Sequence, residues 1–339
     1  MATMRALVAN SIGEPADVLS LEVRPVPEPG PGQVRIRVQA APIHASDLHV
    51  LRGRFAFAPE LPVVPGFESV GVIDKIGDGV EQLERGQRVI TLGVIGTWQE
   101  YMIAEVTRVL GVPVGMRAST AAQLMINPLS ALLMTTRELD IQPGEWLLQT
   151  AAGSTVGKVV MQLGRHLGFR TINVVRRRSA VAEILEFGGD QVICTEDEDL
   201  RGRVAEIGDP AGVRKAIDCV AGEVGADVFR ALAPDGEMVV HGALATHRQT
   251  DPDQLTLPLL ARSIIYGTKT VRGFWLNRWL SKAPPDEVGT MIARTVELVA
   301  GGTIILPEGQ PLRLDQFADA VRLAEAPAHG GKPLFVLGQ

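Results

Sequence analysis

The chain of 339 residues carries 39 acidic and 33 basic side chains, a net charge of −6, with 46% hydrophobic and 21% charged residues. That composition supplies a sizeable core and argues against disorder, while the acidic balance offers no basic field for nucleic acid or an anionic membrane. The only two cysteines, Cys194 and Cys219, exclude a disulfide framework and a four-cysteine structural zinc, and the length predicts two domains.

From Met1 to about Gln123 the pattern is one of strands. Val34, Ile36 and Val38 alternate with Arg35 and Arg37, period two with one face buried, just after prolines at 25, 27, 29 and 31. Further apolar runs at 69–73, 88–92 and 98–104 are separated by turns such as Gly77-Asp78-Gly79, which predicts an irregular β barrel or sandwich. After Asn127 strands alternate with helices, the signature of a parallel sheet wound by crossovers. Strands are expected at 146–150, 171–175, 191–195, 215–218 and 238–241. Val156, Val159, Val160, Leu163 and Leu167 share one face of a helix that Gly168 stops, and a second helix is expected around Val181–Phe187. A helix near 285–300 and a strand at 334–337 return the chain to the first domain. The expected organisation is α/β: a β-rich domain over 1–124 and 303–339, and a Rossmann nucleotide-binding domain over 125–302. No run of eighteen apolar residues occurs, and the first ten residues lack a signal or transit pattern, so a cytoplasmic protein that does not enter membranes is expected.

The first strand of the second domain runs through Ala151-Ala152-Gly153-Ser154-Thr155-Val156-Gly157 into a helix. Small residues let a pyrophosphate approach the backbone, and a helix N-terminus offers free N–H groups to it; Gly153, Ser154, Thr155, Val156 and Gly157 are the candidate contacts. The GxGxxG positions hold Ala152, Ser154 and Gly157, a degenerate match that an ordinary strand-to-helix turn would also give. The second strand ends in Arg176-Arg177-Arg178, where an NAD site would place an acid for the ribose hydroxyl; guanidinium groups there favour the 2′-phosphate of NADP(H), against the bland reading of a solvated basic turn.

Residues 66–80, GFESVGVIDKIGDGV, resemble the signature of the medium-chain dehydrogenase/reductase superfamily, G-H-E-x2-G-x5-G-x2-V, with Phe67 in place of histidine. The resemblance spans essentially the whole chain and implies a GroES-like first domain. Within the superfamily the chain is most similar to the zinc-independent 2-enoyl thioester reductases, then to quinone oxidoreductases, through Asn127-Pro128, Gly96-Thr97-Trp98, 171–176 and above all Arg272-Gly273-Phe274-Trp275-Leu276. The resemblance implies hydride delivery to the β-carbon of an unsaturated thioester and protonation of the α-carbon. The donor in those reductases is associated with a tyrosine, whose position here is Phe55; neither Tyr101 nor Tyr266 falls there. A phenyl ring cannot donate a proton.

With Phe67 at the ligand position and no cysteine before Cys194, a metal-free site is expected; His44, His49 and Glu68 would make an unusual zinc set. His44, where the resembling families usually carry Asn, is the candidate acid or orienting group, with Asp47 to orient it or to cap the local turn. The resemblance adds Asn127 and Ser130 near the nicotinamide, His241-Gly242-Ala243-Leu244 beyond the fifth strand, Phe274, Trp275 and Leu276, and Lys332 as cofactor contacts. Phe55, Trp98 and Trp275 would line an apolar substrate channel, with core packing the equal reading for Trp98. The expected activity is NADPH-dependent reduction of activated double bonds in a small-molecule substrate, a 2-enoyl thioester first. Quinone or enone reduction and non-catalytic NADPH binding are the alternatives, and a homodimer is implied by the resembling families.

Overall fold

The computed structural model describes residues 2–208, 211–326 and 331–338. The chain divides into two compact units, Met1–Ile126 with Leu306–Gln339, and Asn127–Ile305.

The first unit is built on the ten-residue strand Gln33–Pro42. Val34, Ile36 and Val38 are fully buried and alternate with half-buried arginines, as the period-two pattern requires. This strand pairs antiparallel with Val70–Ile76, with Tyr101–Glu105 along its first half, and with Pro333–Val336 at its end. Gln310–Leu312, Arg88–Thr91 and Val109–Gly111 complete a seven-stranded sheet, and Thr3–Ala9 with Leu19–Pro25 forms a separate hairpin. The signature glycine Gly71 sits where a Cβ would lie 2.5 Å from the Arg37 carbonyl oxygen, so the approach of two strands requires glycine there. Leu7, Ile36, Ile43, Trp98 and Phe335 meet in one core. Each such buried side chain contributes roughly 1.5–3 kcal/mol.

The second unit carries a parallel sheet of six strands. In chain order they are Trp146–Gln149, Arg170–Val175, Gln191–Cys194, Lys215–Asp218, Glu237–Val240 and Thr270–Gly273. Their spatial order is 3-2-1-4-5-6, which is the doubly wound arrangement with its topological switch between strands one and four. Helix Thr155–Leu167 buries Val159, Val160, Met161 and Leu163 against the sheet, and Gly168 ends it in the left-handed conformation at φ 87°. The sixth strand, Thr-Val-Arg-Gly, was not among the five expected: its edge position leaves it half exposed, so it carries no apolar run.

Candidate functional site

In the first unit, strand Gln33–Pro42 delivers the chain to His44, the N-cap of helix Ala45–Leu51. Asp47, in the first turn, accepts a 2.6 Å hydrogen bond from the His44 backbone N–H through Oδ2. The two residues form a capping box, in which the Asp47 backbone N–H faces the His44 side chain in return. Both residues are buried. Glu68, equally buried, spans two anchors. Its Oε2 lies 2.9 Å from His44 Nε2, and its Oε1 accepts from the backbone N–H groups of Met125 at 2.7 Å and Ile126 at 3.1 Å. Lys332 joins the same cluster through the return strand: Leu334 pairs with Pro42 and the Ile43 N–H donates to the Pro333 carbonyl, which brings Lys332 opposite His44.

The cluster sets unusual protonation. Burial, then the Lys332 charge, lowers the His44 imidazole below its ordinary value, against the opposing pull of Glu68. Burial raises the Asp47 carboxyl to about 8, with its Oδ1 left without a partner. Burial also lowers the Lys332 ammonium, opposed by the charges of Asp47 and Glu68. With Glu68 as acceptor, His44 Nε2 carries the ring proton and the Nδ1 lone pair is left for the Asp47 backbone N–H that faces the side chain. A neutral imidazole in that tautomer accepts a hydrogen bond at Nδ1 and has no second proton to give. Among the described residues no group of three or more His, Cys, Asp or Glu side chains is disposed to hold a metal ion.

Phe55 packs edge-on against Phe57 at 5.0 Å between centroids and tilted against Phe67 at 5.2 Å. The residue in place of the signature histidine is therefore part of an aromatic cluster with the residue in place of the tyrosine. Trp98 is wholly enclosed, stacked edge-on against Phe335 at 5.2 Å with its indole N–H donating to the Pro42 carbonyl. Trp98 thus packs as a core residue, with no part of its ring exposed.

In the second unit, the degenerate loop has the geometry that the fingerprint glycines usually provide. Ala151 takes φ 48°, and Ser154 caps the helix by accepting from the Gly157 N–H at 3.1 Å. A Cβ on Gly157 would lie 2.5 Å from the Ala152 carbonyl oxygen, so only glycine allows this strand and helix to pack. A Cβ on Gly153 would meet nothing within 4 Å, which leaves that side of the loop open. The N–H groups of Thr155 and Val156, in the first helical turn, find no partner among the described residues. An anionic pyrophosphate fits these donors and this space.

The three arginines are not equivalent. Arg178 is committed to Asp197 through two of its guanidinium nitrogens, and its backbone N–H donates to Glu196 at 3.2 Å. Arg176 and Arg177 have no carboxylate partner among the described residues, and Arg176 is exposed. The pair available to a 2′-phosphate is thus Arg176 and Arg177, a distinction invisible in the string itself.

At the switch point, Thr150 donates to Asp218 Oδ1 at 2.6 Å, and Asp218 also accepts from the N–H groups of Val220 at 3.0 Å and Ala221 at 2.9 Å. Ala221 is held at φ 57°, ψ −152°, a region that ordinarily admits only glycine. Sequence reasoning missed this pair, although a polar residue closing each of two apolar strands was the available signal. Burial and the Asp218 charge push the Cys219 thiol up to about 12, so it is inert near neutrality. His241 follows the fifth strand, where burial lowers its imidazole to about 4. Gly242, Ala243 and Leu244 continue from it, tied back by the Leu244 N–H to the Cys219 carbonyl. The Phe274 N–H bonds to the Val240 carbonyl, placing Phe274, Trp275 and Leu276 beyond the neighbouring strand. Asn127 and Ser130 lie on helix Ile126–Leu133, both largely buried, with Asn127 Nδ2 unpartnered.

A 3-2-1-4-5-6 sheet with a helix-capped small-residue loop and a basic second-strand end defines a dinucleotide-binding unit; a GroES-like β unit carries the buried histidine cluster. An alcohol dehydrogenase GroES-like domain model matches residues 30–114, and a zinc-binding dehydrogenase model matches residues 155–296. The human mitochondrial enoyl-[acyl-carrier-protein] reductase is 31% identical over 99% of this chain and 89% of its own. The mouse protein of that name is 30% identical over 98% and 89%. Among solved structures, a Bacillus thuringiensis protein whose name proposes NADPH:quinone reductase activity superposes with a TM-score of 0.90 at 28% identity, covering 100% of both chains. The chain belongs to the medium-chain dehydrogenase/reductase superfamily of oxidoreductases, alongside these enoyl and quinone reductases. No helix among the described residues is long and apolar enough to cross a membrane.

Proposed function

We propose that this protein is an NADPH-dependent reductase of activated carbon–carbon double bonds, with 2-enoyl thioesters as its substrates. The observation that carries the reading is the near-complete match, in both chains, to enoyl-[acyl-carrier-protein] reductases at about the 30% level. Bound NADPH supplies the hydride. In the second unit, the N–H groups after Ser154 bind the pyrophosphate and Arg176 with Arg177 binds the 2′-phosphate. In the first, His44 is a neutral imidazole that accepts at Nδ1 and does not serve as the acid. The Phe55–Phe57–Phe67 cluster offers apolar surface to an acyl chain. The α-carbon takes its proton from solvent, because Phe55 supplies none.

A second reading, quinone or enone reduction, is favoured by that same Phe55. In quinone reduction the proton that accompanies the hydride ends on oxygen, where water can supply it, so no acid has to be positioned at carbon. NADPH oxidation measured with 2-enoyl-CoAs, quinones and simple enones separates these readings. Turnover of enoyl-CoAs supports the proposal, turnover of quinones or enones alone replaces it, and tight NADPH binding with no oxidation reduces the protein to a cofactor-binding role. We also infer a homodimer. Helix Ala261–Gly267 has no buried residue and exposes Ile264, Ile265 and Tyr266 just before the edge strand Thr270–Gly273, an apolar face and open edge that a second copy would cover. Sedimentation at the monomer mass would refute it.

A further inference from the structure

Glu68 is the one side chain in the histidine cluster with both carboxylate oxygens engaged: one on the His44 ring, the other on two backbone N–H groups at the start of helix Ile126–Leu133. It is 1% exposed, so no solvent competes for either contact. The backbone donors cannot rotate or give up their protons, so Oε1 is held as an acceptor and the carboxylate plane is pinned. Oε2 is then presented to His44 Nε2 in one orientation. The other groups around His44 do not duplicate this contact. The Asp47 carboxylate bonds to the His44 backbone N–H while its own backbone N–H faces the His44 side chain in the capping box, and the Lys332 charge opposes a protonated ring.

We propose that Glu68 is a positioning residue that holds His44 in the Nε2–H tautomer and thereby fixes Nδ1 as an acceptor rather than a donor. The inference rests on the reduction reading above, and it assigns that site a specific polarity: His44 receives a hydrogen bond and does not act as the acid. A ring in the other tautomer would turn an N–H toward the Asp47 backbone N–H, and two donors facing each other repel.

The test uses Glu68→Gln in the full-length protein. The amide oxygen introduced by this substitution still accepts from Met125 and Ile126, while the new NH2 group faces Nε2 and forces the proton to Nδ1. Histidine is labelled with 15N, and the His44 signals are assigned by their loss in His44→Asn. The parent is expected to show a protonated Nε2 and an unprotonated Nδ1, and Glu68→Gln the reverse. The variant's kcat is expected to fall by about 10-fold or more, with NADPH affinity kept within about twofold because the pyrophosphate and 2′-phosphate contacts are untouched. A merely structural Glu68 would leave kcat unchanged even with the tautomer inverted. A parent protonated at Nδ1, an unchanged tautomer in Glu68→Gln, or an inverted tautomer with full kcat would each overturn the proposal. The parent spectrum decides the first of these even if the variant does not fold. If the parent reduces no substrate in the panel, the reduction reading has failed, and the two spectra alone judge what Glu68 does to the ring.

Discussion

Replacing Asp47 by Asn should make the protein more stable, by an amount that grows with pH. The native carboxyl is fully buried and raised to about 8 from a reference of 3.8. Between those two values the native state holds a proton that the unfolded chain has released. Stability is therefore complete below the unfolded value and falls as pH rises through this window, the reverse of an ordinary ion-paired carboxylate. At 1.36 kcal/mol per unit, the deficit reaches about 4 kcal/mol at pH 7. The Asp47→Asn side chain keeps an oxygen for the His44 N–H and has no proton to lose, so the variant's stability should stay flat over the same range. Denaturant melts of both proteins at pH 4.5, 6, 7 and 8, followed by circular dichroism, should give curves that nearly coincide at the lowest pH and separate steadily above it. Parallel pH curves, or an Asp47→Asn variant less stable throughout, would show that the Asp47 carboxylate is stabilised in the fold and that the burial argument fails.

The arginine loop makes a selectivity prediction. Arg176→Ala with Arg177→Ala should weaken NADPH binding by about 10-fold or more while leaving NADH within about twofold, and Arg178→Ala should matter less because Asp197 already occupies it. Asp197→Asn should tighten NADPH by releasing Arg178; a fluorescence titration in which Arg178→Ala is the most damaging change would reverse this ranking. At the switch point, Ala221→Gly should relieve a backbone strain of order 1–3 kcal/mol, less roughly 0.5–1 kcal/mol for the added freedom of glycine in the unfolded chain. The melting temperature should rise by a few degrees, and a fall would mean that the Ala221 conformation is not strained.

Much of the architecture was legible because it follows from local periodicity. Val34, Ile36 and Val38 announced their strand, and Val159, Val160, Leu163 and Gly168 announced a helix and its end. The edge strand Thr270–Gly273 was not legible, since exposure removes the apolar signal. The site was legible as a set of residues but not as chemistry. His44 could be picked out, yet the Glu68 side chain that sets its protonation is pinned by backbone groups 57 and 58 positions away, and the Lys332 charge comes from the far end of the chain. Arg176, Arg177 and Arg178 looked alike until Asp197, 19 positions on, was found beside only one of them. Trp98 has the same composition signal as a channel residue and as a core residue, and only its packing against Phe335 separates the two.

Reduction of an activated double bond by hydride from NADPH leaves a mark that can be followed, the fate of that hydride. NADPH carrying deuterium at the transferable position of C4, incubated with the enzyme and a short 2-enoyl-CoA, should give a saturated thioester with one deuterium at the β-carbon and hydrogen from solvent at the α-carbon. A product labelled at the α-carbon, or recovered enoyl-CoA with no saturated product while NADPH is consumed, would contradict the account.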